Sequence, residues 1–294
     1  MDITDPAAGY LATLGTLDPA QITATLSAAV HGEAGTPPAV AESAETRLAL
    51  ARALIVTGAL GDAASTLAEL AAQDSGDWRI TWYQGLRELA SGHAGEAQAA
   101  FDAVYDALPG ELAPQLALGF AAEAAGEKAA AARYFGRVWM VDRAYVSAAF
   151  GLARAKLAAG DRPGAIAALA AVPPTSSHHV VAQVAAIRIN ITRTGQSGAG
   201  FGELRQAAAR LERLPLDAAR RQQLTSEILR AGLDAVAAGQ PAGGGRLLGY
   251  EPAEYPLRSG LEQSYRALAR LAPDQARRID LVDQANEVRP RTWL

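Results

Sequence analysis

A chain of 294 residues with 27 lysines and arginines against 31 aspartates and glutamates carries a net charge of −4, so it lacks the basic field of a nucleic-acid binder. It contains no cysteine, which excludes disulfides, thiolate zinc sites, iron–sulfur clusters and cysteine nucleophiles. Hydrophobic residues make up 50% of the chain but aromatics only 6%, and the abundance of alanine favours closely stacked helices over a sandwich or barrel.

The start, Met1-Asp2-Ile3-Thr4-Asp5-Pro6, is acidic and not a signal peptide, and the residues after Met1 read as mid-chain sequence. No apolar run approaches the roughly 18 residues that span a bilayer. These features predict a cytoplasmic protein with no membrane insertion. Residues 1–43 form a lead segment. Within it Asp18-Pro19 starts a short amphipathic helix running to about Val30, and Gly35-Thr36-Pro37-Pro38 is a linker.

From residue 44 to 174 the sequence repeats with a period of 34. Small residues that let two helices approach stand at Ala51, Gly85, Gly119 and Ala153. Glycines suited to a left-handed helix end stand at Gly58, Gly92, Gly126 and Gly160. A second small series is Ala63, Ala97, Ala131 and Ala165, and a larger apolar series is Leu67, Phe101, Phe135 and Leu169. Each unit therefore reads as two antiparallel helices, A and B, with the small residues where the axes cross. Gly151, two residues before Ala153, raises the expectation that helix A of the fourth unit is offset. Pro109, and Pro173 with Pro174, end the second and fourth units. This period and order resemble the tetratricopeptide repeat, so four units are expected.

After 175 the strict period fades, but helical patterning predicts helices at about 177–193, 201–214, 216–238, 258–272 and 274–288. Gln240-Pro241-Ala242-Gly243-Gly244-Gly245 is the clearest break. The expected fold is all-α, an α–α superhelix with residues 175–294 continuing the solenoid as C-terminal capping helices.

Three features invite a reading as sites, and each has a plainer one. Gly198-Ala199-Gly200-Phe201-Gly202 looks like a phosphate loop, but a helix precedes it where a dinucleotide fingerprint needs a strand, so it reads as an inter-helix connection. His178-His179 are adjacent and point about 100° apart on a helix, and His31 and His93 lie at turns, so no metal site is expected. Thr225-Ser226-Glu227 lies in an amphipathic helix with no activating base or oxyanion hole marked, so no catalytic residue is assigned. The better candidate is the concave face lined by the A helices. Arg52, Arg79, Trp82, Phe120, Glu123 and Arg154 are its predicted protein-binding residues, with Leu86, Leu116 and Phe150 either lining it or packing between helices. Leu48, Leu116 and Phe150 stand where a carboxylate clamp would need polar groups, so a partner segment with apolar and acidic residues fits better than a free peptide C-terminus. Tyr250, Tyr255, Tyr265 and Trp293 concentrate aromatics near the end, either as a cap or as a second docking surface.

Beyond the repeat, three non-repeat stretches carry a closer resemblance. They are Asp5-Pro6-Ala7-Ala8-Gly9-Tyr10-Leu11, Leu214-Pro215-Leu216-Asp217, and a tail holding Leu261-Glu262-Gln263-Ser264-Tyr265 and Leu281-Val282-Asp283-Gln284-Ala285-Asn286-Glu287-Val288-Arg289-Pro290. In these the chain resembles the C-terminal tetratricopeptide domain of actinobacterial protein kinase G. That resemblance implies a parent with a rubredoxin-like metal domain and a serine/threonine kinase domain, a kinase acting on a small forkhead-associated regulator of glutamate metabolism, and a helical domain used for dimerisation and partner contacts. The chain lacks the cysteine pairs, glycine-rich loop, catalytic-loop aspartate and magnesium-binding triplet of the other two parts, so no catalytic residue carries over. The expectation is an excised, non-catalytic interaction and dimerisation domain with no cofactor of its own, ATP and magnesium belonging to the parent's kinase domain. Its expected partners are proteins: a second copy, its own kinase domain, or both. The alternative is a free-standing adaptor that binds a peptide in its groove.

Overall fold

A computed structural model describes residues 4–32, 35–192 and 199–290. Met1, Gly198 and Trp293, named above, lie outside the described residues. The chain divides into two compact units, residues 1–159 and 160–294. Each is described by itself.

The first unit holds α1 (Ala8–Thr13), α2 (Pro19–Val30), α3 (Pro38–Ala41), α4 (Ala44–Thr57), α5 (Leu60–Gln73), α6 (Trp78–Ala90), α7 (Ala94–Ala107), α8 (Leu112–Ala124), α9 (Lys128–Val141) and α10 (Val146–Ala158). The second holds α11 (Arg162–Ala170), α12 (His179–Ile191), α13 (Phe201–Glu212), α14 (Ala218–Ala237), α15 (Glu254–Leu271) and α16 (Gln275–Val288). No strand occurs among the described residues. The helices match the sequence reading closely, and the division between units falls inside the fourth repeat, between α10 and α11. The expected linker at 35–38 ends in the single turn α3, because Pro38 at its first position already has a helical φ.

In the repeats, α4–α5, α6–α7 and α8–α9 are the helix pairs. The glycines between helices are left-handed as expected: φ is 82° at Gly58 and Gly92 and 76° at Gly126. The A–B crossings are as tight as the small residues require. A β-carbon at Gly85 would lie 2.6 Å from the Phe101 ring, and one at Gly119 would lie 2.7 Å from the Phe135 ring. Gly151 resolves differently from the expected offset. A β-carbon there would also lie 2.7 Å from Phe135, so Gly151 is the point where the helix A of one repeat meets the helix B of the repeat before. Ala117, one period earlier, packs against Phe101 in the same way. Each helix B aromatic is thus held between two A helices. The small residue of the following A helix is a further repeat position, not a shift in frame.

The lead segment is built into the first unit. Asp18 caps α2 by accepting from the Gln21 amide at 2.9 Å, and Gln21 accepts from the Asp18 amide at 3.2 Å. Leu26 of α2 is buried with Leu50, Ala53 and Leu54 of α4 and Ala63 of α5. Asp5 accepts from the Ala7 amide and from the Ser43 hydroxyl, both at 2.7 Å, and Ser43 is itself the N-cap of α4. These contacts give the Asp5-Pro6-Ala7 stretch a structural reason for its composition: it fastens the lead to the first repeat.

The second unit centres on Ile187, Leu204, Ile228, Leu229, Leu247, Leu257 and Leu261, drawn from α12 to α15 and the loop between α14 and α15. That loop, read above as a break, is anchored. Leu247 is fully buried, and Arg205 donates to the Ala242 carbonyl at 3.0 Å. Leu214-Pro215-Leu216-Asp217 is a helix-to-helix joint. Arg221 donates to the Leu211 and Leu214 carbonyls, and Asp217 caps α14.

Candidate functional site

A cleft of about 880 Å³ opens in the first unit. One wall is the lead segment, with Leu11, Leu14, Ile22 and Leu26. The floor and opposite wall are α4, with Leu48, Arg52 and Val56, and α6, with Trp78, Arg79, Trp82 and Tyr83. The end of α7 and the start of α8 close it, with Leu108 and Glu111. The lining is largely apolar. Two large apolar side chains at its mouth stay in solvent, Val56 at 63% exposure and Trp78 at 41%.

The six predicted binding residues separate by position. Arg52, Arg79 and Trp82 share this cleft; Phe120, Glu123 and Arg154 do not line it. Arg52 is exposed and makes no hydrogen bond or ion pair among the described residues. It stands one turn before Val56, so a charge and an apolar contact lie side by side on α4. Arg79 is engaged. Its Nε donates to both Asp77 oxygens at 2.9 Å, its Nη2 to Oδ2 at 2.6 Å, and its Nη1 to the buried Glu45. Trp82 leans on Phe101 with ring centroids 5.3 Å apart. Phe120 meets Phe135 edge to face at 5.1 Å. Glu123 and Arg154 form a bidentate pair between α8 and α10, with both bonds at 2.7 Å. Five of the six thus have partners within the unit, and Arg52 is the one whose charge faces solvent.

The electrostatics of the cleft follow from these contacts. The hydrogen bond from Arg79 holds the Asp77 carboxyl below the usual carboxylate range, and the same bond pushes Arg79 higher still. Burial pushes the Tyr83 phenol up, with Arg52 pulling the other way. A carboxylate whose pKa is depressed in the fold stabilises it above the unfolded value, about 3.9, and loses that contribution as pH falls through the lower folded value. The unfolding free energy of the chain should therefore exceed that of Asp77→Asn by a constant amount above about pH 5 and converge with it below about pH 4. Urea titrations across that range check this. A difference that persists undiminished in acid would remove the Asp77–Arg79 ion pair from the account.

The other sequence candidates have local roles. Ser226 is buried and donates to the Gln223 carbonyl at 2.7 Å, while Glu227 pairs with Arg188 at 3.2 Å. His179 Nδ1 lies 2.8 Å from the Val172 carbonyl oxygen, His31 Nδ1 2.7 Å from that of Ser27, and His93 Nδ1 2.8 Å from Glu88 Oε2. Among the described residues no group of three or more metal-binding side chains stands together. Gly200 directly precedes α13 and its amide donates to Glu203 at 3.2 Å. Tyr250 and Tyr265 are tied to Gln263 and Arg230, at 3.1 and 3.2 Å, while Tyr255 is exposed. No helix among the described residues is long and apolar enough to cross a membrane.

The lead-segment wall was not identified from sequence, although Ile22 and Leu26 keep the four-residue spacing of a buried stripe. Their apolarity signals burial; nothing in the pattern says against which repeat.

Comparison with known proteins agrees with this architecture. A tetratricopeptide repeat protein from Parabacteroides merdae ATCC 43184 superposes with a TM-score of 0.50 at 12% identity, over 95% of this chain and 97% of that one, a likeness of fold alone. The serine/threonine-protein kinase PknG of Mycobacterium leprae is 38% identical over 295 residues, covering 100% of this chain. The PknG of Mycolicibacterium smegmatis is 38% identical over 291 residues, covering 99% of it. The chain spans 38% of the length of each of these two relatives. The family described as protein kinase G tetratricopeptide repeat matches residues 1–292. With a 34-residue period in the sequence, three of its units built as paired helices, and that match over residues 1–292, the chain belongs to the protein kinase G tetratricopeptide repeat family.

Proposed function

We propose that this chain is a non-catalytic interaction and dimerisation domain of a serine/threonine kinase of the PknG type, and that it regulates the kinase or recruits its partners. In this reading the chain takes no cofactor or metal of its own, and it works in the cytoplasm beside a kinase domain that uses ATP and magnesium. The cleft between the lead segment, α4 and α6 receives a protein segment with apolar side chains and a carboxylate. One observation carries this: Arg52, Val56 and Trp78 form an exposed cation and two exposed apolar surfaces at one mouth, while the neighbouring arginine, Arg79, is held by Asp77 and Glu45. A helical segment with apolar residues three and four apart and an acidic residue beside them matches that arrangement.

The test is a panel of helical peptides of equal apolar pattern, acidic or basic in their polar positions, titrated by fluorescence anisotropy. Acidic peptides should bind, and Arg52→Glu should weaken them by about tenfold or more. Equal binding of acidic and basic peptides, or indifference to Arg52→Glu, would rule out this use of the cleft.

A further inference from the structure

The outer faces of α7 and α9 carry opposite charges at neighbouring, not equivalent, places of the repeat. On α7 the exposed residues include Asp102 and Asp106, one turn apart, with Ala99, Ala103 and Ala107 beside them. On α9, one repeat later, they include Arg133 and Arg137, one turn apart, followed by Met140 and Val141. In the 34-residue frame Arg133 stands at the place of Ala99, Arg137 at that of Ala103, Met140 at that of Asp106, and Val141 at that of Ala107. The repeat is its own control: two helices with the same inner face have been given unlike outer faces.

Neither face finds an opposite charge among the described residues. Like charges one turn apart on a helix repel. Asp102, Asp106 and Arg137 make no hydrogen bond or ion pair among the described residues, and Arg133 has only the Tyr134 ring, 5.2 Å away. Partial burial, and then the nearby Asp106, push the Asp102 carboxyl above its ordinary range. Gln98 of α7 reaches Glu127 at the start of α9 at 3.2 Å, yet no ion pair joins the two helices among the described residues. Met140 and Val141 are 73% and 70% exposed, two adjacent large apolar side chains left in water.

A surface that is acidic on one helix and basic on the next, with both helices running the same way, fits a second copy of itself. A twofold axis lying along the space between α7 and α9 sets each α7 on the other copy's α9, parallel and level. That operation brings Asp102 and Asp106 within reach of the partner's Arg133 and the partner's Arg137, and sets Val141 on Ala107 of α7 with Met140 beside it. An isologous contact repeats every such pairing twice. We propose that the outer faces of α7 and α9 are a twofold interface between two copies of this chain. The proposal rests on the dimerisation reading given above and names its surface.

Sedimentation velocity over a concentration series tests it, with circular dichroism confirming that each variant keeps its helix content. The unaltered chain should form a dimer. The Asp102→Lys, Asp106→Lys variant and the Arg133→Glu, Arg137→Glu variant should each dimerise at least about tenfold more weakly, because like charges then face one another. Mixed in equal amounts, the two variants should restore a heterodimer, one copy being positive on both helices and the other negative on both. Met140→Asp alone should weaken the dimer without altering the four charges. Variants that dimerise as tightly as the original, or a mixture that forms no heterodimer, would overturn the interface while leaving dimerisation standing. A chain that stays monomeric at every concentration would overturn both.

Discussion

Phe135→Ala is expected to destabilise the first unit by about 3–5 kcal/mol, among the largest effects available to a single substitution here. The ring is fully buried between three helices. It lies on α9, against the bare backbone of Gly119 on α8 and of Gly151 on α10, with Phe120 edge-on at 5.1 Å. Removing it takes away an apolar payload and leaves a notch that three backbones cannot close by side-chain movement, since two of the lining residues have no side chain to move. The same geometry gives a reciprocal result. Gly119→Ala or Gly151→Ala puts a methyl group 2.7 Å from the ring, an overpacking loss of about 1–3 kcal/mol. The smaller side chain of a Phe135→Leu background should absorb part of that loss, so the double variants should be less destabilised than the sum of the singles. Urea unfolding free energies settle both points. A loss under about 1 kcal/mol for Phe135→Ala would mean the ring does not fill that notch.

Leu247→Ala should have a comparable effect in the second unit, about 2–5 kcal/mol. The residue sits in a segment whose proline and glycine content suggests a loose connection, yet its side chain is completely buried. A β-carbon at Gly232 of α14 would lie 2.8 Å from it. A tight turn holds it in place. Leu247 and Tyr250 exchange two backbone hydrogen bonds, 2.8 and 2.9 Å long, across Leu248 and Gly249, both with positive φ. Tyr250 then lies on Gly260 of α15, where a β-carbon would come within 2.7 Å of the ring. The loop is thus a plug that joins α14 to α15 by two side chains entering two glycine gaps. Thermal unfolding of Leu247→Ala, together with amide exchange across 240–253, measures this. Unchanged stability and unchanged protection would show that the plug contributes nothing.

How much of this could be read in advance differs between the frame and the site. The period, the crossing residues, the helix ends at Gly58, Gly92 and Gly126, and the order of helices were all legible. Each reports a local demand on the backbone: a left-handed residue needs glycine, and close axes need a missing side chain. The demand recurs every 34 residues, so each position confirms the others. Gly151 shows the limit of that reasoning. Its smallness was visible, but whether it answered a shift of the helix or the aromatic of the preceding repeat depended on which ring came to rest on it.

Side-chain partnerships lay beyond the pattern. Arg52 and Arg79 read alike in sequence as cations on one concave face; the fold gives Arg79 to Asp77 and Glu45 and leaves Arg52 in water. Asp77 lies two positions from Arg79 and Glu45 lies 34, and nothing in the hydrophobic pattern says which arginine meets a carboxylate. The same holds for Leu247 and for the lead-segment wall, whose apolar residues announced burial without naming a site. The sequence by itself determined the repeat, its helices and its family, because those depend on backbone geometry imposed residue by residue. Tertiary structure alone decided which charges remain unanswered and which apolar side chains remain in solvent, because both are set by what is left over after the helices have packed.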